Sequence, residues 1–172
     1  MKTLITFATL IFLGALTKSF SQDFSVPKDY TLKVAEDYVK YEKDIIAAAN
    51  WLKSVPLNEQ EEKRKEVSAF VLNWVNGSPT VNVELNENIF DFEKKNPGMM
   101  IIYMASSAKF VLENNYSKDM RAKHKAALKD MIAVYKTGAG IKKDKKMEKL
   151  IKNDEAGELD NWLAENLKIQ GH

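Results

Sequence analysis

From Lys28 to Ser54 the apolar positions Val34, Tyr38, Tyr41, Ile45, Ala48 and Leu52 recur at spacings of 4, 3, 4, 3 and 4. Residues three or four apart share one face of a helix, so this spacing predicts a single amphipathic helix across the stretch. Pro27 stands just before it and Pro56 just after it, where a residue with fixed φ and no N–H is tolerated or ends a helix. Val67, Phe70, Val71, Trp74 and Val75 carry the same period through a second helix. Asn58 and Glu61 have the spacing of a capping box at its start, and Asn76-Gly77-Ser78-Pro79 supplies the breakers expected past its end. The short loop between the two makes them antiparallel neighbours.

The period changes once. Val81, Val83 and Leu85 alternate, which is the strand period of two, but one strand without a partner makes no sheet. Residues 79–85 therefore read as an extended connector. It leads into a short helix near Glu87 to Lys95 with Ile89, Phe90 and Phe92 facing inward. Met99 to Ala105 is apolar on every side, so the helix from about Gly98 to Glu113 is predicted to lie at the centre with the others around it. Ser117 is placed to cap the next helix, whose face reads Met120, His124, Leu128 and Met131, with Gly138 just past its end. Lys142 to Lys152 and Asp154 to Ile169 form two final amphipathic helices, carrying Met147, Leu150 and Ile151, then Leu159, Trp162, Leu163 and Leu167. The fold expected is all-α: a single-domain helical bundle or stack of antiparallel helical hairpins with about six helices. Self-similarity at the 34- or 40-residue periods of helical solenoids is not evident, which leaves a solenoid as the second choice.

The first residues carry a different pattern. Lys2 precedes the uncharged apolar run Leu4 to Leu16, and Ser19-Phe20-Ser21 sets small residues where a signal peptidase reads. Spanning a bilayer takes about 20 apolar residues, and this run is shorter. Residues 1–21 read as a Sec-type signal peptide cleaved after Ser21, leaving residues 22–172 as one α-helical domain, secreted or periplasmic, with no transmembrane segment after processing. Lys2 and Lys18 leave with the signal and no acid does, so the 26 basic side chains fall to 24, equal to the 24 acidic ones. A near-neutral domain gives no electrostatic reason to expect a nucleic-acid partner.

The chain contains no cysteine. That excludes thiol nucleophiles, disulfide exchange, cysteine zinc sites and c-type haem attachment, and leaves stability to packing alone. A domain of this length buries roughly 70% of the surface its unfolded chain exposes, enough to stand without staples.

Several residues invite chemistry. Ser106-Ser107-Ala108-Lys109 and Lys136-Thr137-Gly138 match two of the three signatures of exported penicillin-binding proteins and β-lactamases. The third is missing, the second falls at a helix end rather than on a strand, and the chain is too short for that mixed α/β fold. Small serines between packed helices and a glycine cap explain both. His124 is the one histidine away from the terminus and a possible titrating residue, because imidazole changes charge near neutrality. A single imidazole without H-x-x-x-H spacing makes no metal site, and a histidine on an apolar face is explained by one hydrogen-bond partner. The carboxylates Glu36, Asp37, Asp91, Glu93, Asp154 and Glu155, with Glu158 and Asp160, sit at helix starts or on polar faces, where the helix dipole accounts for them. Lys142, Lys145, Lys149 and Lys152 make the strongest single-sign stripe and are possible contacts for an anionic partner. Asp144 and Glu148 interrupt its field, which favours a solvated face. Asn76-Gly77-Ser78 and Asn115-Tyr116-Ser117 fit the glycosylation pattern, and both serve equally as turns.

No catalytic, cofactor or metal constellation emerges, and the expectation is a protein that is not an enzyme and needs no cofactor. The function expected is an exported helical interaction or scaffold module that binds another exported protein or a cell-envelope component. The alternatives are a carrier with an interhelical pocket for a small apolar ligand, and a hydrolase using two carboxylates or one with His124. The connector 79–85 and the segment after it are the first place to look, because irregular segments on a rigid frame carry function more often than the frame does.

Overall fold

The computed structural model describes residues 23–167, and the expected signal peptide lies outside them. Among the described residues the chain is all-α with eight helices: α1 (Ala35–Lys40), α2 (Glu42–Ser54), α3 (Glu61–Gly77), α4 (Glu87–Glu93), α5 (Met99–Glu113), α6 (Met120–Lys136), α7 (Lys145–Glu155) and α8 (Leu159–Asn166). α5 is the hub. It packs on α2, α3, α4 and α6, and ten of its residues are buried, as a stretch apolar all round requires.

The core falls into two clusters on either side of α5. One joins Tyr41, at the head of α2, with Trp51 of α2 and Phe70 and Trp74 of α3 to Met104 and Ala108 of α5. The other joins Tyr103 to Leu128, Met131, Met147 and Trp162 from α6 to α8. Val83 and Leu85 of the connector pack against both clusters, so this irregular segment seals the seam between the halves. Each large side chain taken fully out of water contributes about 1.5–3 kcal/mol.

The first predicted helix is two helices. α1 begins at Ala35, not near Lys28, because the Asp37 carboxylate accepts the N–H groups of Lys33 and Val34 at 2.7 and 3.2 Å and closes a start there. Tyr41, with φ −101° and ψ 7°, then separates α1 from α2. Val34, expected in the buried stripe, precedes the first turn and stands 55% exposed. Asn58 and Glu61 form no capping box. The residue before α3 is Gln60 in the left-handed region, without a side-chain cap.

Elsewhere the differences are local. Asn86 caps α4 through the N–H groups of Asn88 and Ile89. This turns Ile89 and Phe92 into the core and leaves Phe90 45% exposed, against the expectation. Asp119, rather than Ser117, caps α6 by accepting from the Ala122 N–H at 2.9 Å. α7 starts after Asp144 and continues to Glu155, so Asp154 and Glu155 stand at its C-terminal end and not at the start of α8. Gly157 (φ +77°) then reverses the chain. Gly77 is required by proximity: a Cβ there would stand 2.0 Å from the Tyr38 hydroxyl, which packs α1 against the last turn of α3.

Candidate functional site

Where the connector passes the start of α6, the surface opens into a cleft of about 550 Å³. The C-terminal end of α3 and Val111 of α5 close it below, and the turn Ser117 to Met120 forms its far wall. Ser78 begins the connector by accepting the N–H groups of Thr80 and Val81 at 3.4 and 3.2 Å, a local turn that serine side chains stabilise. Beyond it Val83 and Leu85 turn to the core, so Asn82 and Glu84 must turn the other way. Their side chains meet, Asn82 Nδ2 donating to Glu84 Oε1 at 2.8 Å.

Glu84 is the centre of a polar network running inward from the cleft. Its Oε2 accepts from Lys123 Nζ at 2.6 Å and from His124 Nε2 at 2.9 Å. Lys123 is 3% exposed and spends its remaining donors on the Asn82 carbonyl at 2.6 Å and on Met120 Sδ at 3.4 Å. His124 is fully buried, with Nδ1 bonded to the Tyr103 hydroxyl and its ring stacked on Tyr103 at 5.7 Å between centroids. A carboxylate can only accept, so His124 Nε2 carries the proton and Nδ1 accepts from Tyr103. Every polar atom of His124 and Lys123 then has a partner.

The electrostatics follow from that arrangement. Burial lowers the His124 imidazole to about 4, and the Lys123 charge works with it against the pull of Glu84. Burial also pushes the Tyr103 phenol well above its ordinary value, with the Glu84 charge adding to it. For Glu84 burial acts upward, but the Lys123 hydrogen bond and charge, its own backbone N–H and His124 together outweigh it and hold the carboxyl below the usual range. The network is a Glu⁻–Lys⁺ pair with a neutral imidazole and a neutral phenol behind it.

Of the residues singled out from sequence for chemistry, His124 joins this site through Glu84, and Asn76, Ser78 and Ser117 of the two glycosylation patterns line its walls with the connector. Lys142 precedes α7, its backbone paired with the Asn96 side chain in both directions. Lys145, Lys149 and Lys152 line the exposed face of α7, away from the cleft. Asp91 ties Lys94 and Lys146, Glu155 pairs with Lys136, and Asp160 with Lys125. Glu93 accepts the N–H groups of Gly98 and Met100 at the head of α5, both at 2.9 Å. Ser106 and Ser107 are buried without hydroxyl partners, while Lys109 reaches Asn50, so the S-x-x-K match assembles nothing. Sequence reasoning missed Glu84 and Lys123. Their signals are weak ones: Glu84 occupies the polar phase of the alternating connector, and Lys123 adjoins His124 on the helix.

Among the described residues no cluster of three or more His, Asp or Glu side chains could hold a metal ion, and no helix is long and apolar enough to cross a membrane. No protein family matches the chain, and no characterised protein or solved structure shows detectable similarity to it.

Proposed function

We propose that the protein is an exported, non-enzymatic binding module whose ligand seat is the cleft between the connector and the start of α6. The observation that carries this reading is the cleft itself. At about 550 Å³ it falls within the range of small-molecule sites, about 300–1,000 Å³, and its lining includes a prearranged charge pair, Glu84 and Lys123. Held in place by Tyr103, His124 and the Asn82 carbonyl, that pair costs a ligand no reorganisation.

The walls favour a polar ligand over the apolar one considered from sequence, since they carry Asn76, Ser78, Thr80, Ser117, Lys118 and Asp119. The large exposed apolar side chains are spread over several elements, Val34 and Val39 at α1, Leu72 on α3, Phe90 on α4 and Tyr116 in the turn before α6, which weakens an apolar interaction groove as the main surface. His124 supports binding without chemistry. Its ring is buried and both nitrogens are engaged, so no lone pair is left to take a proton from a ligand in the cleft.

One observation favours a hydrolase as a second reading: Glu84 is 38% exposed in the cleft with an imidazole behind it. A carboxyl held below its usual range is a weak base, which ranks this reading lower. Turnover of ester, amide or glycoside substrates that disappears in Glu84→Gln would favour it.

The test is a titration of the isotopically labelled protein with blocked short peptides, neutral saccharides and free amino acids. Amide shifts confined to residues 76–84 and 117–123, and abolished by the cleft-filling Thr80→Trp, are expected. Binding that ignores Thr80→Trp, or no binding by any class, would overturn the reading. Export rests on the Lys2, Leu4 to Leu16 and Ser19 to Ser21 pattern. Sequencing the N-terminus of exported protein, with Gln22 expected first, tests it.

A further inference from the structure

Among the described residues, α3 is the one helix whose C-cap N–H, that of Ser78, returns to no carbonyl of its last turn. The sequence just past it explains why. The partner that the Val75 carbonyl would take is Pro79, which has no N–H. Thr80 and Val81, next in line for Asn76 and Gly77, turn their N–H groups onto Ser78 Oγ instead. The carbonyls of Val75, Asn76 and Gly77 therefore accept no hydrogen bond among the described residues, and the last turn carries no basic side chain to answer them. Helix carbonyls point along the axis, and those left open at a C-terminus act as roughly half a negative charge. α3 ends on the cleft, where Val75, Asn76 and Ser78 form part of the lining.

The rest of the lining is short of donors. Lys123 spends its three on Glu84, the Asn82 carbonyl and Met120, and the Glu84 carboxylate is neutralised by that contact. Asp119 gives one oxygen to the Ala122 N–H at the head of α6 and keeps Oδ2 without a partner among the described residues. Lys118 is the exposed cation of the lining and opposes a second positive charge. The apolar part is Val75, Val81 and Val111, and no aromatic ring lines the cleft, so a cation without N–H groups would find neither acceptors it can use nor a ring face to sit on. A ligand that fits brings several N–H donors, a positive charge and a short aliphatic body. We propose that the cleft seats a small aliphatic amine in its ammonium form, which donates to the open carbonyls of α3 and to Asp119 Oδ2 and lays its methylene chain on the three valines. An ammonium carries three donors and no acceptor, the complement of a helix end that offers acceptors alone.

This rests on the cleft being the ligand seat, and the experiment separates the two claims. The full chain, isotopically labelled, is titrated at millimolar concentration and low salt with three probes: 1,4-diaminobutane, tetramethylammonium, which keeps a charge but has no N–H, and 1,4-butanediol, which keeps the chain but has no charge. The diamine is expected to shift amides of residues 75–82 and 117–120, and Thr80→Trp to abolish those shifts. Tetramethylammonium should bind about tenfold more weakly or worse, the equivalent of one or two lost hydrogen bonds, and the diol should shift nothing. Asp119→Asn keeps an oxygen to cap α6 and should weaken the diamine about threefold, whereas Lys118→Gln should tighten it by about the same factor. Equal binding of tetramethylammonium, a Lys118→Gln protein that binds the diamine less well, or shifts mapping elsewhere would overturn the amine. A diol that binds in the cleft as tightly as the diamine would keep the ligand seat and overturn the amine. No binding of the diamine would also overturn it, and the panel of peptides, saccharides and amino acids then decides the ligand seat.

Discussion

Among the described residues two cations are buried, and they are handled in opposite ways. Arg64 of α3 is 7% exposed. Its two terminal guanidinium nitrogens donate to backbone carbonyls at and just past the end of α2, Leu52 at 3.3 Å, Val55, and Pro56 at 3.1 Å, with Trp51 stacked at 5.7 Å, while the buried Nε has no partner among the described residues. The Leu52 carbonyl is one that a helix end leaves without an intrahelical partner, and the Val55 and Pro56 carbonyls follow it in the loop. The arginine thus caps α2, fastens the first hairpin and faces no opening. Lys123 is equally buried, but its partners include the half-exposed Glu84 and the bond-poor connector at the edge of a cleft. A buried charge closed in by carbonyls holds the fold together. One that closes on a carboxylate at a cleft prepares a surface.

The contrast breaks most sharply at Arg64. Arg64→Met keeps the stem that covers Trp51 but orphans the Leu52 and Val55 carbonyls, while Pro56 keeps the Glu59 N–H; at 1–3 kcal/mol for each unsatisfied buried group the loss should be about 3–4 kcal/mol. Urea unfolding measures it. Titration of His124 in the variant should be unchanged, since the guanidinium belongs to the other core cluster.

The second effect is acid lability. An imidazole ordinarily at 6.5 and lowered to about 4 in the fold binds a proton in the unfolded chain before the folded one. Its contribution is complete above about pH 6.5 and is lost as pH falls towards 4, a total of about 3 kcal/mol. Glu84, held below its usual range by Lys123, loses stability in the same direction at still lower pH. Unfolding midpoints measured from pH 7 to 4 should fall steadily, and His124→Leu, whatever its own cost, should flatten the slope between 6.5 and 4.

Lys123→Met comes next, at about 2 kcal/mol for the unpaired Asn82 carbonyl and the exposed half of Glu84. Its sharper readout is the histidine. Removing the ammonium takes away a charge that lowers His124 and leaves the carboxylate that raises it, so the imidazole should titrate above 4 in an NMR pH series. An unmoved value would mean that burial alone sets it.

The frame of this molecule was legible because its apolar periods are long. The stripe from Val67 to Val75 and the all-apolar Met99 to Ala105 fixed α3 and the central α5, and both are buried as their spacing requires. Boundaries were not, because they turn on single hydrogen bonds: Asp37 starting α1, Asn86 turning Phe90 outward, Asp119 displacing Ser117. The candidate site was half legible. His124 stood out as a titratable residue on an apolar face, and the change of period marked the connector. Glu84 and Lys123 did not stand out, because each is one of many charged residues, and only the fold brings residues 39 apart within 2.6 Å. Arg64 lies on the same stripe as Val67, Val71 and Trp74, and a charge in phase with a core face is the one signal that could have found it.

The smallest effect tests the third group of cations, those that are not buried. Lys145, Lys149 and Lys152 project from one face of α7, three and four residues apart, and none of the three pairs with a carboxylate among the described residues, whereas Lys143 reaches Glu148 and Lys146 reaches Asp91. Like charges at these spacings repel by a few tenths of a kcal/mol. If the face is merely solvated, Lys149→Glu converts two repulsions into two attractions and should stabilise the domain by about 0.5 kcal/mol at low salt, with the gain vanishing in 1 M salt, where screening reaches about 3 Å. If the stripe holds an anionic surface, the same substitution should also abolish co-sedimentation with vesicles of anionic phospholipid. The solvated face predicts that the unsubstituted protein does not co-sediment at physiological salt. The cleft should register neither change, because Lys149 belongs to a helix that contributes nothing to its lining.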